Sequence, residues 1–536
     1  GRVLPSFDQL QIGQIVQEIP APSALVVNEK GTATSVAAAG EIPYKLTPNE
    51  RSQYADLSGR DNAFGTIDYS MNPPWVFLGS QVSLAEIGLA DAKPAEREAR
   101  RVSTAAMGCP NCGGPLKLVA PDKAERVTCP NCNSLLDVNQ GNLSYLKALN
   151  PTQADVNFVL PVGAEGTFSG DVKFKIIGAV VRSVQMDGIH YYWHEYLLYN
   201  PSIGFRWLVH SDNHWNFVEP VNPAEVEAAM GSTIFTSTPT MVKYNGKRYK
   251  IFQDAPAVVE YVKGEFYWRV EQGETVRAID YIAAPVMLSQ EVTANEVNWS
   301  AGVYLTNADV EKAFGITDLP KPWSVGPNQP FTGQFYYTWG LLPLALLFVV
   351  AIFMIPLSGL SSTVLNQEIV LPPMANATTP QVAFSQAFDV KSNRNIKITA
   401  SAPVNNSFAD LDVDLINDQS QELESVNVPI EYYSGTDSDG SWSEGGQTQD
   451  ATLSSLPAGK YTLRVEGTWT NAAQAMPISV KVEQNVVRGV NFICALLILA
   501  IVPILGLIRK ISFESSRWKD SMFSTSSSGS SDDSDE

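Results

Sequence analysis

Residues Met107–Val138 hold four of the chain's five cysteines, as two CPNC units. Cys109, Cys112, Cys129 and Cys132 follow the spacing C-x2-C-x16-C-x2-C, the pattern of a four-thiolate zinc site. Each C-x2-C turn sets two sulfurs on one edge of a tetrahedron. Gly113 and Gly114 let the backbone turn away behind the first unit. The expectation is a zinc ribbon with one structural Zn2+ per chain. Disulfides and a thioredoxin-like redox site are the alternatives. A reducing compartment disfavours the first. Two knuckles, each with Pro and Asn inside, disfavour the second. The local basic residues Lys117, Lys123 and Arg126 have no aromatic among them on which bases would stack. Structural or protein-binding use is therefore favoured over nucleic acid.

All four histidines fall within 25 residues, His190, His194, His210 and His214, as H-x3-H-x15-H-x3-H. Residues four apart on a strand share a face. Two strands are thus expected to offer four imidazoles to a second metal, which could activate water for hydrolysis. Against this, the same stretch is dense in Tyr and Trp, as a half-buried aromatic face would be. Trp193, Glu195, Tyr196, Trp207 and Trp215 are candidates for a ligand or partner face. Glu195 reads as a partly buried carboxylate needing a cation, with Arg206 or Arg182 as the choices. No GxSxG, HExxH, P-loop or dinucleotide fingerprint is present, and no catalytic residue is assigned.

The elements around these residues are strand-like. Residues 155–315 alternate apolar and polar types, with Gly, Asp, Asn and Pro every 8–12 residues. The pattern predicts a small barrel or paired curved sheets. HYYWHEYLLY and GEFYWRV sit alike within two similar pieces, which suggests a diverged internal repeat. The run Tyr192–Leu198, Phe205–Leu208, His214–Trp215 and Asn298–Tyr304 with Ala313–Phe314 resembles the bacterial domain of unknown function 4178, as does the ribbon placed before it. The resemblance, over roughly residues 105–315, implies a bacterial protein with no established activity. It also implies membrane spans and an envelope-stress or membrane-maintenance setting. Residues 1–100 read as a small β-rich domain, and DAKPAEREARR as a helical linker into the ribbon at 105–140.

Two uncharged apolar runs, within 336–357 and 489–508, have the roughly 20 residues a membrane span requires. Cys494 lies in the second, as a small apolar residue. Arg509, Lys510, Arg517 and Lys519 follow the second run, whereas no Lys or Arg lies in the thirty residues after the first. The positive-inside rule then places residues before the first span, and the tail at 509–536, in the bacterial cytosol. Residues 358–487 lie outside the inner membrane. That loop carries 15 acidic and 6 basic residues and no Cys. Its segment 375–485 alternates like a jelly-roll-like β-sandwich. Asp410, Asp412 and Asp414 share a strand face, and GTDSDGSWSEGG is a turn-rich loop. Ca2+ is a minor expectation there, because the loop lacks EF-hand spacing. The Ser-rich acidic tail reads as disordered.

A net charge of −19 argues against broad nucleic-acid binding. The chain opens on Gly, so a preceding segment is expected to be missing, and no signal peptide is visible. The fold class expected is mainly β, a multidomain membrane protein with small barrel-like cytosolic domains. The function expected is a non-enzymatic membrane-anchored zinc-binding adaptor or sensor, with the lipid bilayer and proteins as partners. The alternative is a metal-dependent hydrolase built on the histidines.

Overall fold

Alternation over residues 172–305 yields a ring of eight strands, β1 (Val172–Met186), β2 (Ile189–Asn200), β3 (Gly204–Ser211), β4 (His214–Val221), β5 (Lys247–Phe266), β6 (Thr275–Ala283), β7 (Val286–Val292) and β8 (Val297–Leu305), with two short strands, Glu227–Ala228 and Met241–Tyr244, beside β5. They neighbour one another in the order β1-β2-β3-β4-β8-β7-β6-β5, and β5 pairs back to β1. Every pairing is antiparallel, so the sheet closes into a barrel and has no free edge along this ring. Of the two stretches read as a repeat, the first forms β1–β4, whereas the second, 243–283, forms β5 and β6 after a short strand, so HYYWHEYLLY lies on β2 and GEFYWRV at the end of β5. Strands β1 and β5 are long and carry bulges, at Ile177 on β1 and at Phe252 and Glu260 on β5. Such bulges bend a strand around a barrel corner. Gly264 marks the tightest approach. Its φ is +98°, and a Cβ there would lie 2.3 Å from the Ile177 carbonyl oxygen.

The computed structural model describes residues 3–42, 47–83, 86–88, 107–139, 142–149, 157–186, 188–228, 238–358, 361–374, 379–391 and 394–523. The charged linker DAKPAEREARR and the acidic end of the tail lie outside them. The chain divides into two compact units, Gly1–Thr332 with Lys510–Glu536, and Gly333–Arg509.

In the first unit, one ion pair fixes which barrel face points inward. Arg182 on β1 and Glu291 on β7 are not sheet neighbours, yet their side chains meet at 2.8 Å. The contact crosses the lumen. Counting by two from Arg182 and its cross-strand partner Trp193, residues Trp193, Glu195 and Leu197 point in, while His194, Tyr196 and Leu198 point out. The outward set is buried under residues 158–164 and the short helix α1 (Asn307–Phe314), in a core with Leu160, Leu208, Trp215 and Val310. A Thr306 capping box and Gly315 in the left-handed region bound α1.

Two modules flank the barrel. A five-stranded antiparallel sheet over residues 15–80 encloses Leu10, Val16, Leu25, Val27, Ala55, Leu57 and Ile67. The cysteine module combines a hairpin, Met107–Gly108 with Pro115–Leu116, and a three-stranded ladder over Arg126–Thr128, Ser134–Asn139 and Asn142–Ala148. That ladder continues the barrel wall, because Arg126 and Val127 pair with Phe266 and Glu265 of β5.

In the second unit, α2 (Gln334–Ser358) and α3 (Gly489–Lys519) are long and apolar enough to cross a membrane. Gly340 of α2 meets Pro503 of α3, where a Cβ would lie 3.1 Å from the proline ring; small residues permit such close helix approach. Between the helices, a four-stranded and a six-stranded antiparallel sheet share one apolar core, from Leu365 to Val482. The sequence predicts a disordered tail directly after Ile508. Instead α3 runs on to Lys519, and Arg517 and Ser521 are buried in the first unit. The amphipathic run after the apolar stretch has a surface to pack on, and that preserves its helix.

Candidate functional sites: the cysteine cluster and the barrel lumen

The four cysteines converge. Cys109 and Cys132 sulfurs lie 3.8 Å apart, Cys112 and Cys129 sulfurs 3.7 Å, and all four lie within 4.8 Å of one another. A regular tetrahedron with metal–sulfur bonds of about 2.3 Å has edges of about 3.8 Å. Backbone N–H groups of Asn111 and Gly114 point at the Cys109 and Cys112 sulfurs, each at 3.4 Å. The Ser134 hydroxyl supports the Cys132 thiolate and brings its pKa down to about 6. The donor set and its edge lengths fit a metal such as zinc. Glu265 fastens the module to β5: its two oxygens accept the Val119 and Ala120 N–H groups, each at 2.6 Å. Burial pushes this carboxylate's pKa up, against those two bonds.

The histidines do not form a second metal set. Among the described residues, the cysteines are the one group of three or more metal-ligating side chains close enough to share an ion. Residues four apart on a strand share a face but stand about 13 Å apart, so His190 cannot join His194 on one ion. His190 is exposed and stacked on Tyr192. His194 and His210 are cross-strand partners on the outer face, with rings 5.9 Å apart. His210 also stacks on Trp215, and burial lowers its pKa to about 4. His214 points the other way. Its two ring nitrogens meet the Tyr304 hydroxyl at 2.9 Å and the Trp323 carbonyl at 3.1 Å. The five-residue partner face also divides: Trp193, Glu195 and Trp207 face the lumen, and Tyr196 and Trp215 face outward.

Of the two arginines considered for Glu195, Arg182 is the partner, at 3.1 Å, while Arg206 pairs with Glu219 on the outside. The Trp193 indole N–H donates to Glu195 at 2.8 Å. Burial raises the Glu195 pKa, opposed chiefly by Arg182. Two lumen residues escaped the sequence reading. Glu291 takes the second arm of Arg182. Asp280 accepts the Ser289 hydroxyl at 2.6 Å; burial takes its pKa up to about 6, against that bond and helped by the Glu291 and Glu195 charges. A lone carboxylate in the apolar run AIDYIA was the available signal.

The lumen has a plug at one mouth. Asn328 is wholly buried, and its amide N–H2 reaches the Asn216 side-chain oxygen and the Pro285 and Gly302 carbonyls, at 2.6, 3.1 and 3.2 Å. Trp323 and Lys321 bond the nearby β3–β4 turn at Asp212 and Asn213.

With the closed eight-stranded ring in view, the matching region can be stated. Residues 161–307 match the Domain of unknown function (DUF4178). The match takes in all eight strands of the barrel and leaves the cysteine module outside. No curated protein matches the chain. Among solved structures, the tandem CBM22-1-CBM22-2 domain of Paenibacillus barcinonensis Xyn10C is 8% identical, over 57% of this chain and 93% of that one, with a TM-score of 0.15. The infectious bursal disease virus Gx strain structure is 10% identical, over 68% of each chain, also with a TM-score of 0.15. Neither likeness informs fold or function.

Proposed function

We propose that this chain is a membrane-anchored sensor or adaptor, in which a zinc-stapled cytosolic DUF4178 barrel is coupled to the membrane helices. One observation carries the reading: the segments that run to α2 and from α3 are both fastened to the barrel. The segment leading to α2 inserts Asn328 into the lumen mouth. The C-terminal turn of α3 returns to the same neighbourhood. There Arg517 bonds the Gln329 carbonyl, Trp518 packs on Phe252, and Ser521 and Met522 bond the Phe252 carbonyl. A change at the lumen mouth therefore acts on both connections. Arg509, Lys510, Arg517 and Lys519 favour a cytosolic barrel and an acidic outer β-sandwich. Zn2+ in the cysteine cluster would hold the ribbon against the barrel, a structural role. Protein partners at the envelope, in stress response or membrane maintenance, suit this reading of a modular β-rich chain with a four-cysteine cluster.

Site-specific photo-crosslinking from the barrel surface in native membranes tests the reading, together with labelling by a membrane-impermeant maleimide. A specific crosslinked partner, and labelling of Ser420→Cys but not Lys263→Cys in intact cells, are expected. Labelling of Lys263→Cys from outside, or no specific partner, would overturn it.

A further inference from the structure

The N-terminal sheet ends on a strand with an open edge. Trp75–Ser80 pairs with Ala63–Asp68 on one side, and no strand among the described residues pairs with its other side. Edge strands are normally blunted by a charge, a proline or a bulge. WVFLGS has no charged residue and no proline, and its ladder to Ala63–Asp68 runs without a register shift. Such an edge is a template for one more strand.

The side chains beside this edge are apolar on the solvent face. Leu57, Ile67 and Val76 pack into the core of the sheet. By alternation Phe64, Thr66, Trp75, Phe77 and Gly79 point away from that core. Phe64 is 53% exposed and Phe77 50%, and Trp75 meets Phe77 edge-on with ring centres 6.2 Å apart. The Phe64 ring lies over Gly79, 2.6 Å from where a Cβ would stand. Single exposed apolar residues are ordinary, but three aromatic rings gathered at an unpaired edge mark an interaction surface.

We infer that a second copy of the chain docks here, Trp75–Ser80 against Trp75–Ser80, antiparallel about a two-fold axis at Phe77. An axis normal to the sheet keeps each face continuous, so residues of like parity stand opposite one another. Centring on Phe77 sets Phe77 against Phe77, Val76 against Leu78, and Trp75 against Gly79. Every opposed pair is free of charge. Trp75 of one copy finds room over Gly79 of the second copy, beside the Phe64 ring already there. Half of each ring, at about 200 Å² a ring, together with the strand edge and the half-exposed Leu78 gives roughly 800–1,000 Å² over the two copies. That is the low end for specific association, and it suits chains confined to one bilayer, where the effective concentration is raised. The chain's own following segment is a poor occupant: DAKPAEREARR carries seven charges in eleven residues and no apolar alternation. The inference goes beyond the sensor reading and needs neither a ligand nor a foreign partner.

The test is cysteine crosslinking of the full chain in native membranes. Phe77→Cys places a thiol on the axis. Thr66→Cys places one on the same face but one strand further in, about 14 Å from its copy. Under oxidation by copper phenanthroline, Phe77→Cys should yield a disulfide-linked dimer at least tenfold faster than Thr66→Cys or the parent chain. In sedimentation equilibrium of the detergent-solubilised full chain, Phe77→Lys should weaken self-association about tenfold or more, because like charges would stand directly opposite on the axis. Should Phe77→Lys fail to fold, the crosslinking comparison decides alone. A monomer at every concentration, equal crosslinking of the two cysteine variants, or a dimer unchanged in folded Phe77→Lys would each overturn the inference, the last by placing the contact on another surface.

Discussion

Asp280→Asn should stabilise the protein, and only on the alkaline side. Asp280 lies in the lumen beside Glu195 and Glu291, and its pKa is taken from its ordinary 3.8 to about 6. An acid whose folded pKa is raised contributes its full stability below the unfolded pKa. That contribution is lost as the pH climbs through the folded pKa. The native chain thus weakens between about pH 4 and pH 6 on account of this one group. The displacement corresponds to about 3 kcal/mol, and the incomplete burial of Asp280 reduces this to roughly 1–3 kcal/mol. Asparagine keeps an acceptor for Ser289 and removes the charge. The variant should match the parent near pH 4 and exceed it by that amount above pH 7. Denaturant unfolding of the full chain, followed by tryptophan fluorescence across pH 4–8, measures the difference. A gap that is flat with pH, or that favours the parent above pH 7, would refute the electrostatic reasoning.

Three further outcomes are expected. Elemental analysis should find one zinc per chain, unchanged in His194→Ala and lost in Cys109→Ser; with the metal gone, hydrogen exchange over 107–139 should rise steeply, as small metal-held modules unfold without their ion. Glu265→Ala removes two charge-assisted bonds to Val119 and Ala120 and should cost about 3 kcal/mol, read as lowered stability with faster exchange in the cysteine module than in the barrel. Gly264→Ala should be as damaging or worse, because its added carbon meets the Ile177 carbonyl at a φ of +98°; a variant of normal melting temperature would show that β1 and β5 can part there without cost.

The cysteine pattern and the apolar helices were legible because their signals are local. A C-x2-C turn carries two ligands in four residues, and a span shows itself as a continuous run. The strands were also legible from alternation. A barrel was one of two arrangements expected; which strands close it was not legible, because that depends on which ends meet and on bulges that reset the parity of a strand. The histidines illustrate the loss: spacing by four gives a shared face, yet on a strand it also gives separation, and His214 lies on the far side of a turn that puts it in the lumen. What the barrel can do lies in contacts that sequence proximity does not signal. Arg182 and Glu291 are 109 residues apart, and Asn328 and Asn216 are 112 apart. Each is an ordinary polar residue in its own strand or loop. Closure alone makes them face one another, and the same closure leaves Asp280 without a cation. The chemistry of the lumen is therefore a property of topology, and substitutions that loosen the ring at Gly264 should disturb it as surely as substitutions in the lumen itself.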